Sequence, residues 1–274
     1  MTVDLEIICV GNELLIGKVK DANAHYIAKQ ATQLGANVKR ITVIKDTIPE
    51  ISSAVCEAIA RKPKFIVTTG GLGPTFDDKT LQGIAMAFNR KLEINSKALE
   101  IVKQKCLEYA KKRQLSTKIE LTPPRVKMAT MPQKAEVVNN PVGTAPGVRV
   151  DVQGTVLFAL PGVPVEMEAI FNETIAPLIK QAVGSSVFCE RSIFADNIME
   201  SHLAPLIDKV MSNNEEVYVK SHPMRTESKP HVELHLTIVA SQKQKPAEKL
   251  AKATKELASL IEAEGGSVTV ELEG

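Results

Sequence analysis

Thr68-Thr69-Gly70-Gly71-Leu72-Gly73-Pro74-Thr75-Phe76-Asp77-Asp78-Lys79-Thr80 is the stretch on which the reading of this chain turns. The apolar run Phe65-Ile66-Val67 precedes it, and Leu81, Ile84, Ala85 and Phe88 follow at helical spacing. The pattern predicts a strand feeding a glycine-rich turn that opens a helix. Gly70, Gly71 and Gly73 would let backbone N–H groups approach an anion, and the helix N-terminus adds partial positive charge. Asp77 and Asp78 follow at once, where a divalent cation could bridge them to a phosphate. This reads as a nucleotide or phosphorylated-cofactor site. The plainer alternatives are a tight turn without a ligand, and an aspartate that only caps the helix starting near Lys79.

Working outward, strand candidates Leu5–Val10, Val38–Ile44 and Lys64–Val67 alternate with helix candidates near Ala22–Leu34 and Pro49–Ala60. That alternation predicts a parallel sheet covered by helices on both faces, joined by right-handed crossovers. A further helix is expected over Ser96–Arg113 with Ser96 as its N-cap, and Thr122-Pro123-Pro124 forces a turn or break. Short strands follow at Glu136–Val138, Gly147–Val152 and Thr155–Leu160, the last running into a helix over Val165–Ala182. Gly184-Ser185-Ser186 marks the boundary between a first domain, 1–183, and a second, 184–274. Beyond it the order is βαββαβ: strand Val187–Phe194, helix Met199–Met211, strands Glu216–Ser221 and His231–Ala240, helix Pro246–Glu264, strand Ser267–Val270. This is a split βαβ arrangement, a small α+β domain, with an exposed polar loop at Pro223–Pro230.

Open α/β sheets hold ligands at the carboxyl ends of their strands, so four loops are expected to meet there. One runs from Gly11 through Glu13 to Gly17, Asp21 and Asn23; a second carries Lys45-Asp46; the third is the Gly70–Asp78 turn. The fourth combines Asn140-Pro141-Val142-Gly143-Thr144-Ala145-Pro146-Gly147 with Pro161-Gly162-Val163-Pro164-Val165-Glu166-Met167. Asp46, Asp77 and Asp78 are the candidate metal ligands, and Glu13 or Asp46 the candidate group that orients a water. The Thr144 hydroxyl and the amides near Gly143 suit a phosphate or a polar ring edge. Each also has a structural reading: a turn carboxylate for Asp46, loop capping for Glu13, first-turn dipole stabilisation for Glu166.

Composition excludes several classes. A net charge of +2 and the absence of tryptophan give no electrostatic or stacking case for nucleic acid. No apolar run reaches the roughly 20 residues that span a bilayer. Cys9, Cys56, Cys106 and Cys189 are far apart in apolar segments, which reads as reduced core thiols and a cytoplasmic protein. His231 and His235, four apart along a strand, would stand about 13 Å from each other, too far for one metal. The Lys-rich helix Lys243–Lys255 reads as a solvated face.

The four ordered motifs, over residues 11–167, resemble the molybdopterin-binding MoaB/MogA-like domain, and more closely its CinA branch, the competence/damage-inducible family. The resemblance implies a three-layer αβα domain followed by a small KH-like α+β domain. It implies metal-dependent hydrolysis of ADP-ribose or a related dinucleotide to AMP and a ribose phosphate. The alternative it carries is a module that binds molybdopterin, or its adenylylated form, without hydrolysis. Carried onto this chain, the catalytic residues are Asp46, Asp78 and Glu13. The ligand-binding residues are Gly11, Asn23, Thr69, Gly70, Gly71, Gly73, Pro74, Thr75, Asn140, Gly143, Thr144, Ala145, Pro146, Gly162 and Glu166. The implied cofactors are Mg²⁺ or Co²⁺ and a monovalent cation, and the implied assembly is a homodimer. Long family members carry a further amidase domain acting on nicotinamide mononucleotide; with the chain stopping at Gly274, that activity is not expected here. No Gly-x-x-Gly loop joins two helices in the second domain, so RNA binding of the KH type is not expected either.

Overall fold

The computed structural model describes residues 3–114, 120–224 and 231–270. Strand β1 (Asp4–Val10) sets the layering, because successive side chains point to opposite faces. Ile8 and Val10 enter one buried cluster, while Leu5, Ile7 and Cys9 enter another. Helix α1 (Asn12–Leu15) and α2 (Ala22–Gln33) follow, then β2 (Asn37–Ile44), α3 (Ile48–Ala60) and β3 (Phe65–Thr69). Next come α4 (Thr80–Ala87), β4 (Leu92–Ile94), α5 (Ser96–Lys112), α6 (Pro123–Met128) and β5 (Thr130–Pro132). The unit closes with β6 (Glu136–Val138), β7 (Gly147–Val152), β8 (Thr155–Leu160), α7 (Pro164–Ile170) and α8 (Ala176–Val183).

The main sheet has the order β2-β1-β3-β8-β7-β6. Its first four strands are parallel, and β7 and β6 run antiparallel to their neighbours. The β7–β8 hairpin turns at Gln153 and Gly154, both with positive φ, as a two-residue turn matched to sheet twist requires. Helices α3, α4 and α5 cover one face through Ile51, Val55, Ile84 and Val102. Helices α2, α7 and α8 cover the other through Ile27, Met167, Ile170 and Ile179. Each fully buried aliphatic side chain contributes roughly 1.5–3 kcal/mol, so the three-layer αβα arrangement is what the apolar pattern stabilises. No helix among the described residues is long and apolar enough to cross a membrane.

The chain divides into this unit, Met1–Val183, and a second, Gly184–Gly274. The second contains β9 (Ser186–Asp196), α9 (Glu200–Asn213), β10 (Val217–Met224), β11 (His231–Ser241), α10 (Pro246–Ala263) and β12 (Ser267–Val270). Its sheet, β10-β11-β9-β12, is antiparallel throughout. Alternate residues of β11, Val232, Leu234, Leu236 and Ile238, pack under Leu203, Val210, Leu250 and Leu257 of the two helices. His231 and His235 pair with Asp196 at 2.6 Å and Glu190 at 3.0 Å.

Some expectations change. Asn95, not Ser96, caps α5, its side chain accepting from the Ala98 amide at 3.0 Å. The helix expected over Val165–Ala182 contains a π-type turn at Phe171–Ile175, which keeps Ile170, Phe171, Ile175 and Ile179 all buried. Cys56 is exposed and no core thiol; Cys9 is buried, and Cys106 and Cys189 are partly so. Of the expected loop Pro223–Pro230, Pro223 and Met224 belong to β10 and the rest lies outside the described residues.

Candidate functional site

Strand register brings the four loops to one level. Val10 stands opposite Ile44, and Thr69 opposite both Cys9 and Leu160, so the loops after β1, β2, β3 and β8 leave the same carboxyl edge. The first two are tied by Gly11 N–H donating to Ile44 O at 3.1 Å, and the last two by Gly70 N–H donating to Leu160 O at 3.0 Å. They open into a cavity of about 860 Å³.

The glycines of the third loop have local reasons to be glycine. Gly70 has φ +95°, and a Cβ there would lie 2.2 Å from Val10 O. Gly71 has φ +68°, and its Cβ would meet Thr80 Oγ1 at 2.3 Å, a hydroxyl that donates to Gly70 O at 2.7 Å. Close packing between β1 and α4 thus accounts for both residues. The ligand signal lies in the amides. Gly70, Thr75 and Thr80 N–H groups have acceptors, but those of Gly71, Leu72 and Gly73 have none among the described residues. All three residues line the cavity. Consecutive N–H groups without protein acceptors are the kind of feature that can form an anion-binding nest.

Asp77 and Asp78 do not cap α4. The helix begins at Thr80 with Lys79 at the N-cap and no side-chain cap. Asp78 Oδ2 accepts instead from Thr75 N–H at 2.7 Å and Thr75 Oγ1 at 2.6 Å, and its carboxylate lies against Gly73. The same Thr75 hydroxyl also reaches Asp77 Oδ1, so one hydrogen serves two carboxylates. That hydroxyl holds Asp77 below the usual carboxylate range, with its own backbone amide and the Lys127 and Lys79 charges adding to the effect. Asp46 Oδ2 accepts from Asn12 N–H at 2.7 Å and fastens α1 to the end of β2. Partial burial pushes the Asp46 carboxyl up; the Asn12 amide opposes this, while the Glu13 and Asp77 charges reinforce it. Glu13 folds back over Gly11, where a Cβ would come 2.7 Å from its Oε1.

No group of three or more His, Cys, Asp or Glu side chains among the described residues is arranged to hold a metal unaided. Asp46, Asp77 and Asp78 each keep one oxygen that accepts from no other residue described. Mg²⁺ is ordinarily bound by one or two carboxylates together with substrate phosphates, and this donor set fits that mode, not a closed protein cage.

A second part of the cavity's surroundings is built around Asn140. Fully buried, it donates to Ala145 O at 2.8 Å and Glu166 Oε2 at 2.7 Å, and accepts from the Val142 and Gly143 amides at 3.1 and 2.7 Å. All its polar capacity is spent on the protein. Gly143 is glycine because a Cβ would lie 2.0 Å from the Glu166 carboxylate. Thr144, Ala145, Gly162 and Glu166 line the cavity, whereas Asn140, Gly143, Pro146 and Gly11 stand behind its wall. Asn23 donates to Gly162 O at 2.9 Å and presents a buried Oδ1 without a partner. Beneath it, burial and then the neighbouring Asp21 push the Cys9 thiol pKa well up, so this cysteine stays protonated.

Of the sequence-named residues, Glu13, Asn23, Asp46, Thr69, Gly70, Gly71, Gly73, Pro74, Thr75, Asp77 and Asp78 also reach the wall. Sequence reading missed the contribution of α5 and α6: Cys106, Thr122, Pro124, Arg125 and Met128 complete the enclosure. The i, i+4 spacing of Pro124 and Met128 after a proline-started helix was the available signal.

Comparison with known proteins agrees with this architecture. The family described as "Probable molybdopterin binding domain" matches residues 6–181. A protein from Aeropyrum pernix is 40% identical over 266 residues, 97% of this chain and 96% of the relative. A protein from Sulfurisphaera tokodaii is 40% identical over 264 residues, 96% of this chain and 97% of the relative. A crystal structure of the protein CinA with unknown function, from Thermoplasma acidophilum, is 37% identical with a TM-score of 0.57, covering 65% of this chain and 98% of that one. With the MoaB/MogA-like three-layer domain followed by a small α+β unit, the chain belongs to the CinA family of proteins built on the molybdopterin-binding domain.

Proposed function

We propose that this protein hydrolyses the pyrophosphate of ADP-ribose or a related dinucleotide, giving AMP and a ribose phosphate. The observation that carries the reading is the presence, around one cavity, of three unpaired amides (Gly71, Leu72, Gly73) and the Asp46, Asp77 and Asp78 carboxylates. Amides alone would serve an anion, and carboxylates alone would repel one. Together they suit a phosphate that arrives with a cation.

The amides hold a non-bridging phosphate oxygen and orient the bridging P–O bond. Asp77 and Asp78 would hold a divalent ion, which polarises phosphorus–oxygen bonds and lowers the pKa of water when bound. Asp46, fixed by the Asn12 amide, and Glu13 beside it are the groups that accept the proton of the attacking water. Thr144, Ala145 and Glu166, which line the same cavity, would shape the pocket for the ribose or base. A cavity of about 860 Å³ is of the size that holds a dinucleotide. Incubation with ADP-ribose and Mg²⁺ or Co²⁺ should release AMP and ribose phosphate in equal amounts, and chelation should stop it.

A second reading draws its support from the family description: binding of molybdopterin or its adenylylated form without cleavage. Adenylylated molybdopterin also joins AMP through a pyrophosphate, so the same amides would engage it. Intact recovery of both ADP-ribose and the adenylylated pterin after binding would favour this second reading.

A further inference from the structure

The cavity wall carries six carboxylates, Glu13, Asp21, Asp46, Asp77, Asp78 and Glu166, against only two cationic side chains among the described residues, Lys20 and Arg125. Lys20 is exposed on its loop; Arg125 is half-buried on α6. An arginine facing so many carboxylates would ordinarily pair with one. Among the described residues Arg125 forms an ion pair with none of them. Its Nη1 instead donates to the Glu120 carbonyl at 2.7 Å, leaving Nε and Nη2 without an acceptor among those residues.

Helix α6 sets the direction of that guanidinium. Pro123 and Pro124 open the helix, fixing φ there, and Pro124, Arg125 and Met128 present one face to the cavity. Two residues further along, Lys127 Nζ donates to the Thr75 carbonyl and attaches the helix to the glycine turn. Arg125 therefore stands on an element clamped to the amide nest, and its anchored guanidinium keeps donors free. A guanidinium with two parallel N–H groups is the side chain best matched to a phosphate.

We propose that Arg125 grips the second phosphate of the ligand, so that the site recognises two adjacent phosphates: one on the Gly71–Gly73 amides and the other on Arg125. Arg125 is then the residue that makes the cavity select a pyrophosphate over a monophosphate. This deepens the reading of the cavity as a pyrophosphate site and rests on it, but requires no hydrolysis.

Equilibrium binding of ADP and AMP, in Mg²⁺, tests the proposal on the intact protein. The nucleoside is constant, so the ratio of affinities reports the second phosphate. The parent should prefer ADP by roughly 10- to 100-fold, the worth of a charge-assisted contact. Arg125→Gln should bring the two affinities together, while Arg125→Lys should restore part of the preference because an ammonium supplies a point charge without the fork. Lys20→Gln, on the exposed loop, should weaken ADP and AMP alike and leave the ratio. A parent without ADP preference, or an Arg125→Gln protein that keeps it or loses ADP and AMP by the same factor, would overturn the proposal. If Arg125→Gln does not fold, Arg125→Lys still decides: an undiminished preference counts against the fork. Failure of the hydrolysis reading would look different, as intact ADP-ribose with the ADP preference unchanged.

Discussion

Asn140→Asp changes almost nothing in the outline of the side chain, yet inverts half of its hydrogen bonding. The oxygen that accepts the Val142 and Gly143 amides, at 3.1 and 2.7 Å, is retained. The NH₂ group that donates to Ala145 O at 2.8 Å and to Glu166 Oε2 at 2.7 Å is lost. A neutral hydrogen bond is worth about 1 kcal/mol and one to a charged group about 1.5–3 kcal/mol. The new carboxylate also faces that of Glu166 in a buried setting, and this cost is limited by protonation of the introduced carboxyl. The sum is a loss of about 3–5 kcal/mol at pH 7. At about 2–4 °C per kcal/mol for a unit of this size, the melting temperature of the first unit should fall by roughly 6–20 °C. The sign with pH follows from linkage. The introduced carboxyl, buried where the parent has a neutral amide, has a folded-state pKa above its unfolded value, so the penalty is full above that folded pKa and fades as pH drops through it. Calorimetry of parent and variant from about pH 8 to about pH 4 should show the gap closing on the acid side. A loss below about 1 kcal/mol at pH 7, or a gap independent of pH, would refute Asn140 as the pin that holds the 140–147 loop against Glu166.

Asp78→Asn keeps an acceptor for the Thr75 amide and removes a charge from the proposed cation site. ADP-ribose turnover should fall by orders of magnitude, with a stability change of no more than about 1–2 kcal/mol, measured by steady-state kinetics and thermal melts; a variant turning over near the parent rate would remove Asp78 from the mechanism. Asp46→Asn in chelator should melt at or above the parent temperature near neutral pH. The Asp46 carboxyl is pushed up by burial and by the Glu13 and Asp77 charges, so its ionised form costs folding free energy above its folded pKa, and the difference should vanish as pH falls below the ordinary carboxylate value. Gly70→Ala should prevent correct closure of the β3–α4 turn, since its Cβ would sit 2.2 Å from Val10 O at φ +95°; circular dichroism and melting would report loss of several kcal/mol, and a parent-like melt would contradict the packing argument.

The strand-to-helix reading of residues 65–88 was legible because apolar residues change period at a cluster of glycines. The loop-to-loop meeting was legible because parallel strands must end on one edge. Local polar geometry was not. Thr75 binds both aspartates, and nothing in the order Thr-Phe-Asp-Asp separates that arrangement from a helix cap. The glycines looked like a sign of an anion, whereas Gly70 and Gly71 answer to Val10 and Thr80; the three unpaired amides carry that sign instead, and amide pairing is invisible without coordinates. Asn140 looked like a ligand contact and is a fully satisfied buried pin. Arg125 went unnoticed because the proline pair before it reads only as a break, and its place beside the glycine turn depends on the Lys127 contact across 52 positions of sequence.

The central claim is that water attacks a phosphorus atom held by the Gly71–Gly73 amides beside the Asp46, Asp77 and Asp78 carboxylates. Turnover of ADP-ribose in ¹⁸O-labelled water, with Mg²⁺ or Co²⁺ and mass analysis of both products, addresses it directly. The account predicts AMP and ribose phosphate with one ¹⁸O atom on the phosphate of one product, and no reaction in chelator. Unlabelled phosphates, or ADP-ribose recovered intact from a folded, metal-loaded protein that binds it, would contradict the account.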